Sequence, residues 1–433
     1  MSTDTRFWHP FSDMAQVRSA EFVITGGEGA VVTDADGASY FDGTASLWCV
    51  NVGHGRTEIA DAAAAQMREL ASYSAFGAFT NRPALDLCER LAGYADDVVD
   101  DPRIFLGLGG GDAIDTAAKL ARRHFDAIGQ PGRTHIIGRT QGYHGTHGLG
   151  TSIGGIPANQ VGMGPQDPDT SHVPWDQLEA LEAEFHRVGP ERVAAVFAEP
   201  VIGAGGVHRV PPTYLQGLQE LCRRHGALFV ADCVIGAFGR LGTWFGVDRF
   251  GLQPDMITFA KGVTSGYLPL GGVVVSGRVA EPFWTPREDG AALWFRHGQT
   301  YSGHPTCCAA AMANLDIIER EGLLGRGREL EDEIASAFAP LAGAELVGEI
   351  RTGIGALGAV AFDKAALAAH PDLPARTFAQ AKARGVLVRP LGDAVAISPP
   401  LVATREQIDT AGHAIGEAIA AVAESLPAVA GGA

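Results

Sequence analysis

Only four lysines occur among the 33 basic residues of this 433-residue chain: Lys119, Lys261, Lys364 and Lys382. Three of them sit in segments that read as polar helix faces. Lys261 instead ends the apolar run Met256-Ile-Thr-Phe-Ala260 and is followed by Gly-Val-Thr-Ser-Gly. An ammonium with apolar neighbours and no adjacent carboxylate is costly unless it loses its proton or has a task. The usual task is attack on a carbonyl to form a Schiff base; the plain alternative is a strand-end lysine that snorkels to water. Glu199 and Asp232 each terminate an apolar run, in Phe-Ala-Glu-Pro and Leu-Phe-Val-Ala-Asp. Either carboxylate can balance a cationic ring nitrogen, or simply cap a helix or shape a turn. Tyr143 follows the Ile136-Ile137 run, where an aromatic stacks on a flat ligand or packs in the core. Trp48, in Leu-Trp-Cys-Val-Asn-Val-Gly-His-Gly, reads equally as a pocket wall or a core residue. Gly107-Leu-Gly-Gly-Gly-Asp112 reads as a strand-to-helix turn whose free N–H groups suit an anion such as phosphate. Its glycine spacing also partly fits a dinucleotide fingerprint. His144 and His147 lie three apart without a third ligand nearby, so no metal site is expected.

These residues need elements to hold them. Residues 21–52 read as short strands and turns, with Asp34-Ala-Asp-Gly as a hairpin signal. From about 57 to 305, helical patterns at 57–71, 83–94, 112–127, 176–188 and 212–225 alternate with short apolar runs. Those runs begin at Arg103, His135, Val193, Ala227, Met256 and Gly272. Strands separated by helices in this way imply an α/β fold with a largely parallel, doubly wound sheet. Chemistry in such a sheet lies at the carboxyl ends of the strands, which is where the residues above fall. From about 306 a long helical stretch leads into a second α+β pattern: Ile354 to Phe362, a helix near 376–384, Gly385-Val-Leu-Val-Arg, and Ala394-Val-Ala-Ile-Ser. Thr404-Arg-Glu-Gln407 resembles a capping box for a last helix, and the tail Ala430-Gly-Gly-Ala is expected to fray.

The bulk numbers narrow the class. A net charge of −17 without a Lys/Arg run argues against nucleic acid and anionic membrane surfaces as partners. No apolar stretch is long enough for a membrane span, and the first residues lack a signal core, so a cytoplasmic location is expected. The six cysteines, Cys49, Cys88, Cys222, Cys233, Cys307 and Cys308, show no metal-ligand spacing and read as reduced.

Taken as a set, an isolated lysine, a ring-nitrogen acid, an aromatic and a phosphate cradle are the parts that pyridoxal 5'-phosphate requires. The chain also resembles the class III aminotransferases, and within them the omega-transaminases of the amine:pyruvate and β-alanine:pyruvate group. The resemblance rests on ordered motifs: Leu47-Trp-Cys-Val-Asn-Val-Gly-His-Gly-Arg56, Gly142-Tyr-His-Gly145, Glu199-Pro-Val-Ile-Gly-Ala-Gly-Gly206, Phe259-Ala-Lys-Gly-Val-Thr-Ser-Gly-Tyr-Leu-Pro-Leu-Gly271, Thr300-Tyr-Ser-Gly-His-Pro305 and Val386-Leu-Val-Arg-Pro-Leu-Gly-Asp393.

The resemblance implies a fold type I transferase with a large cofactor domain at 57–305. A small domain would be built from 1–56 and 306–433. It implies that Lys261 joins the cofactor and shuttles a proton, Asp232 pairs with the pyridine nitrogen, and Tyr143 and Val234 sandwich the ring. Gly110 and Gly111 would bind the phosphate through backbone N–H groups, with Glu199 among the cofactor contacts. Thr300 would reach the phosphate of a second subunit, which implies a homodimer with shared sites and leaves a tetramer open. Trp48 and Arg389 would contact substrate, Arg389 as the mobile partner of a carboxylate. The implied reaction is ping-pong transfer of an amino group from an amine or omega-amino acid to pyruvate or a similar oxo acid. Three positions depart from the family pattern: Gly109-Gly-Gly-Asp112 replaces Ser-Gly-Ser-Glu, Cys233 replaces a glutamate, and Gln299 replaces a frequent aromatic, which should make the pocket rim more polar. Rival readings are an aminomutase or decarboxylase of the same fold, a nicotinamide-dependent oxidoreductase, and an inactive binding paralogue. The oxidoreductase lacks a ribose-binding acid at the right spacing and leaves Lys261 without a task.

Overall fold

Every apolar run expected between residues 103 and 275 forms a strand of one seven-stranded sheet. The computed structural model describes residues 5–426. Both the tail expected to fray and the extreme N-terminus lie outside them. In spatial order the sheet runs Arg103–Gly107, Gly271–Val275, Met256–Phe259, Leu228–Asp232, Val193–Ala198, His135–Arg139, Thr170–Val173. All neighbours are parallel except Gly271–Val275, which is antiparallel to both flanking strands. Side chains alternate between two buried faces, as a sheet covered on both sides demands. Leu228, Val230, Met256 and Val273 pack with Ala113, Ile114 and Ala117 of the helix Gly110–Ala127. Phe229, Ala231, Ile257 and Val274 face the larger core on the other side. The edge strand Thr170–Val173 escapes sequence detection because Thr-Ser-His-Val is polar, which suits an edge.

A four-stranded sheet joins the two ends of the chain. Ile24–Glu28, Val31–Asp34 and Ser39–Asp42 form an antiparallel meander, and Val386–Leu387 adds to it in parallel. The expected Asp34 turn is present: its carboxylate accepts from the N–H groups of Asp36 (3.0 Å) and Ala38 (2.9 Å). A second four-stranded sheet contains Val347–Arg351, Gly358–Phe362, Ala394–Ile397 and Arg389–Pro390. Two expectations are corrected here. The run from Ile354 becomes strand only at Gly358. The run Gly385–Arg389 is two strands rather than one, because the chain leaves the first sheet at buried Val388 and joins the second at Arg389. The last helix, Arg405–Ser425, opens with the expected reciprocal capping box of Thr404 and Gln407. Among the described residues no helix is long and apolar enough to cross a membrane.

Candidate active site

Four strand ends and one helix start converge on a cavity of about 180 Å³, whose lining includes Gly110, Tyr143, Asp232, Val234 and Lys261. Lys261 opens a short 3-10 turn one residue after Met256–Phe259 and has φ of 47°. A non-glycine residue in this left-handed region is strained, and such strain concentrates where a side chain must be aimed. Burial lowers the pKa of its ammonium; Asp232 is the strongest of the charges that oppose this. The side chain keeps some exposed surface because it borders the cavity.

Asp232 ends Leu228–Asp232 and is itself buried. One carboxylate oxygen accepts from Val234 N–H (3.1 Å) and from Thr258 Oγ1 (3.1 Å). The other accepts from His144 Nδ1 at 2.7 Å. That bond fixes the imidazole with its proton toward the acid and leaves Nε2 buried without a hydrogen-bond partner. Glu199 lies beside this pair as a backbone clamp. Its oxygens accept from Tyr143 N–H (2.9 Å) and Gly203 N–H (2.9 Å). Burial, with Asp232 adding to it and His144 opposing, raises its pKa above the usual carboxylate range. Glu199 thus sets where Tyr143 stands. Burial also pushes up the Tyr143 phenol.

The glycines leave room that any side chain would fill. A Cβ on Gly110 would sit 2.8 Å from Val234 Cγ1, and one on Gly145 would sit 2.8 Å from Gly111 Cα. Asp112 replaces the missing loop hydroxyls in one respect: its carboxylate accepts from Leu108 N–H at 2.8 Å and closes the turn. Helix Gly110–Ala127 starts there, so its first N–H groups and dipole face the cavity end. A lysine, a hydrogen-bonded carboxylate, an aromatic and an anion cradle around one slot fit pyridoxal phosphate.

A second cavity of about 310 Å³ shares Lys261 and Tyr143 with the first and adds Phe11, Trp48, Ala204 and Arg389. Trp48 ends a loop in which Ala45, Ser46 and Trp48 itself have positive φ. The Asp42 carboxylate pins that loop through Thr44 and through Ser46 N–H (2.7 Å). Arg389 is exposed at the rim, and its guanidinium has no carboxylate or other hydrogen-bond partner among the described residues. Thr300 is exposed and borders neither cavity. Gln299, expected on the pocket rim, borders neither cavity; its amide oxygen accepts from Ser302 Oγ at 3.0 Å. Cys233 is fully buried, a packing residue whose thiol pKa burial pushes well up. Sequence reasoning missed His144 as the partner of Asp232, although it lies inside Tyr-His-Gly, and missed Thr258 and Phe11. His144 had stood out only for its spacing to His147, and among the described residues no cluster could hold a metal.

Comparison with known proteins bears on the same site. The family model described as "Aminotransferase class-III" matches residues 14–419. A putrescine–pyruvate aminotransferase from Pseudomonas aeruginosa is 36% identical across 92% of this chain and 91% of its own. A β-alanine–pyruvate aminotransferase from the same organism is 34% identical across 96% of each. The solved structure of an amine transaminase from an uncultivated Pseudomonas species, in its pyridoxal-phosphate-bound form, superposes with a TM-score of 0.91. It is 37% identical and covers 96% of this chain and 99% of that one.

Proposed function

The chain belongs to the class III aminotransferases, pyridoxal-phosphate-dependent enzymes of fold type I, and from that premise we propose that it transfers the amino group of an amine or omega-amino acid to pyruvate or a similar oxo acid in two alternating half-reactions. The observation that carries this reading is the position of Lys261 at the seam of the two cavities, with the unpaired Arg389 at the rim of the second. One pocket therefore offers a base for the reacting carbon and a cation for a carboxylate. The β-alanine–pyruvate relative supports the choice of substrates.

When bound, pyridoxal phosphate supplies an electron sink for the charge that develops at the substrate carbon. Asp232, held by His144 and Thr258, would keep positive charge at the pyridine nitrogen. Tyr143 and Val234 would flank the ring, and the backbone N–H groups of Gly110 and Gly111 would hold the phosphate. Glu199 contributes through Tyr143 rather than by direct acid–base work. Lys261, its pKa lowered by burial, would serve as the base that takes and gives back the proton at the substrate carbon. Trp48 and Tyr143 wall off water, while Arg389 receives the carboxylate of the acceptor. For an amine without a carboxylate, Arg389 turns outward to solvent.

A screen of amine donors tests this, with cofactor absorbance followed in each half-reaction. An active amine alone should convert the absorbance, and pyruvate should restore it. Release of carbon dioxide, or an amino group moved within one molecule, would replace this reading with one of its rivals.

Three further parts of the proposal rest on other features. Thr300 reaches the phosphate of a second copy, so the working unit is a homodimer. In support, the neighbouring surface exposes Phe76, Leu85 and Trp294 around a cleft of about 790 Å³, and large apolar side chains grouped at one cleft suit a protein–protein contact. Residues 57–305 form the cofactor domain, and 1–56 with 306–433 the small domain. The pairing of Ser39–Asp42 with Val386–Leu387 supports that division. Cytoplasmic residence is supported by six free cysteines, four of them buried.

A further inference from the structure

The turn that carries Arg389 is gripped from behind by a second arginine. Arg351 ends the strand Val347–Arg351. Its Nη2 donates to Asp393 Oδ2 at 2.7 Å and its Nη1 to Asp393 Oδ1 at 3.1 Å. The same Nη1 donates to the Gly206 carbonyl at 2.8 Å, and Nε donates to Glu349 Oε2 at 2.8 Å. Asp393 closes the segment whose Arg389, Leu391 and Gly392 border the substrate cavity. Gly206 closes a different segment, whose Ala204 borders the same cavity. One guanidinium therefore joins two cavity walls that come from separate parts of the chain.

The contact is built rather than incidental. The Arg351 side chain is only 10% exposed, and its fork meets Asp393 with both terminal nitrogens, the directional form of such a pair. Gly206 has φ of 135°, and a Cβ there would lie 3.0 Å from Arg351 Nη1 and 2.5 Å from His208 Nε2. Only glycine lets the carbonyl and the guanidinium meet. The other end of the Ala204 turn is fixed by Glu199 at Gly203 N–H.

The geometry points to Arg351 as a positioning residue for carboxylate recognition: by locking Asp393 against Gly206, it sets where Arg389 stands over the cavity. This rests on the reading of Arg389 as the carboxylate partner. Without the lock, Arg389 samples more of the solvent, and oxo-acid acceptors lose affinity while amines that lack a carboxylate do not.

The test compares Arg351→Lys, Asp393→Asn, the double variant and Arg389→Ala in the holoenzyme. Each half-reaction is measured separately, with pyruvate and with an amine that has no carboxylate. Arg351→Lys and Asp393→Asn should each raise KM for pyruvate roughly tenfold with kcat little changed, and leave the amine half-reaction within about twofold. The double variant should add little, because both changes cut one link. Equal losses in the two half-reactions, or an unchanged pyruvate KM in both single variants, would overturn the inference. If Arg351→Lys does not fold, Asp393→Asn decides alone. If Arg389→Ala itself leaves pyruvate KM unchanged, the reading of Arg389 fails and this link falls with it. A raised KM in Arg389→Ala alone removes only the positioning role.

Discussion

Asp232 accepts hydrogen bonds on both oxygens, from Val234, Thr258 and His144. That arrangement favours a fixed carboxylate facing the slot. Asp232→Asn keeps the shape but removes the charge. Turnover should drop on the order of a hundredfold or more while some cofactor stays bound, measured by steady-state rate and cofactor content; a near-normal rate would show that another acid serves the ring. Lys261 makes a separate prediction. Burial lowers its pKa, so the neutral, nucleophilic amine is populated below the ordinary lysine value of 10.5. Capture of the cofactor by the apoprotein should therefore rise with pH and level off before that value, as read from absorbance. Borohydride reduction should then fix the cofactor on a peptide containing Lys261. Attachment at Lys119 or Lys364, both exposed, would remove the assignment.

At the scale of elements, the helix that starts at Gly110 makes the sharpest claim. Gly110→Ala would push a methyl against Val234 Cγ1. Because the strand end behind Val234 is buried, neither side can yield cheaply. Cofactor retention on dialysis should fall roughly tenfold or more, and the melting temperature of the apoprotein should drop by a few degrees with the overpacking. Retention like that of the parent protein would mean that the phosphate sits elsewhere. Elements such as this were legible in sequence because buried parallel strands are short β-branched and apolar runs, as in Val193–Ala198. The failures have physical causes too. Thr170–Val173 is polar because it is an edge. Val386–Pro390 divides because two sheets share it, and periodicity within five residues cannot register a change of partner. Lys261, Asp232 and Tyr143 stood out from strand-end placement. His144 did not, since its role depends on a contact 88 positions away.

For the whole molecule, the exposed aromatic and aliphatic surface around Phe76, Leu85 and Trp294 should be covered by a second copy. Leu85→Arg would place a charge in that surface. Sedimentation should then show a shift toward monomer, with activity reduced in step because Thr300 no longer reaches a neighbouring phosphate. A fully active monomer would retire both the dimer and the role of Thr300. The Glu199 clamp has an evolutionary consequence. It ties the backbone of Tyr143 to Gly203, and a Cβ on Gly203 would lie 2.5 Å from Ile235 Cδ1 and 2.8 Å from Trp48 Cζ3. On the proposed roles of Tyr143 and Trp48, mutations in that floor would disturb the cofactor and the substrate together, so selection should tolerate few of them. Adaptation to new amines should instead accumulate at rim positions such as Phe11 and Leu391, where a lineage can explore substrates without risking its chemistry.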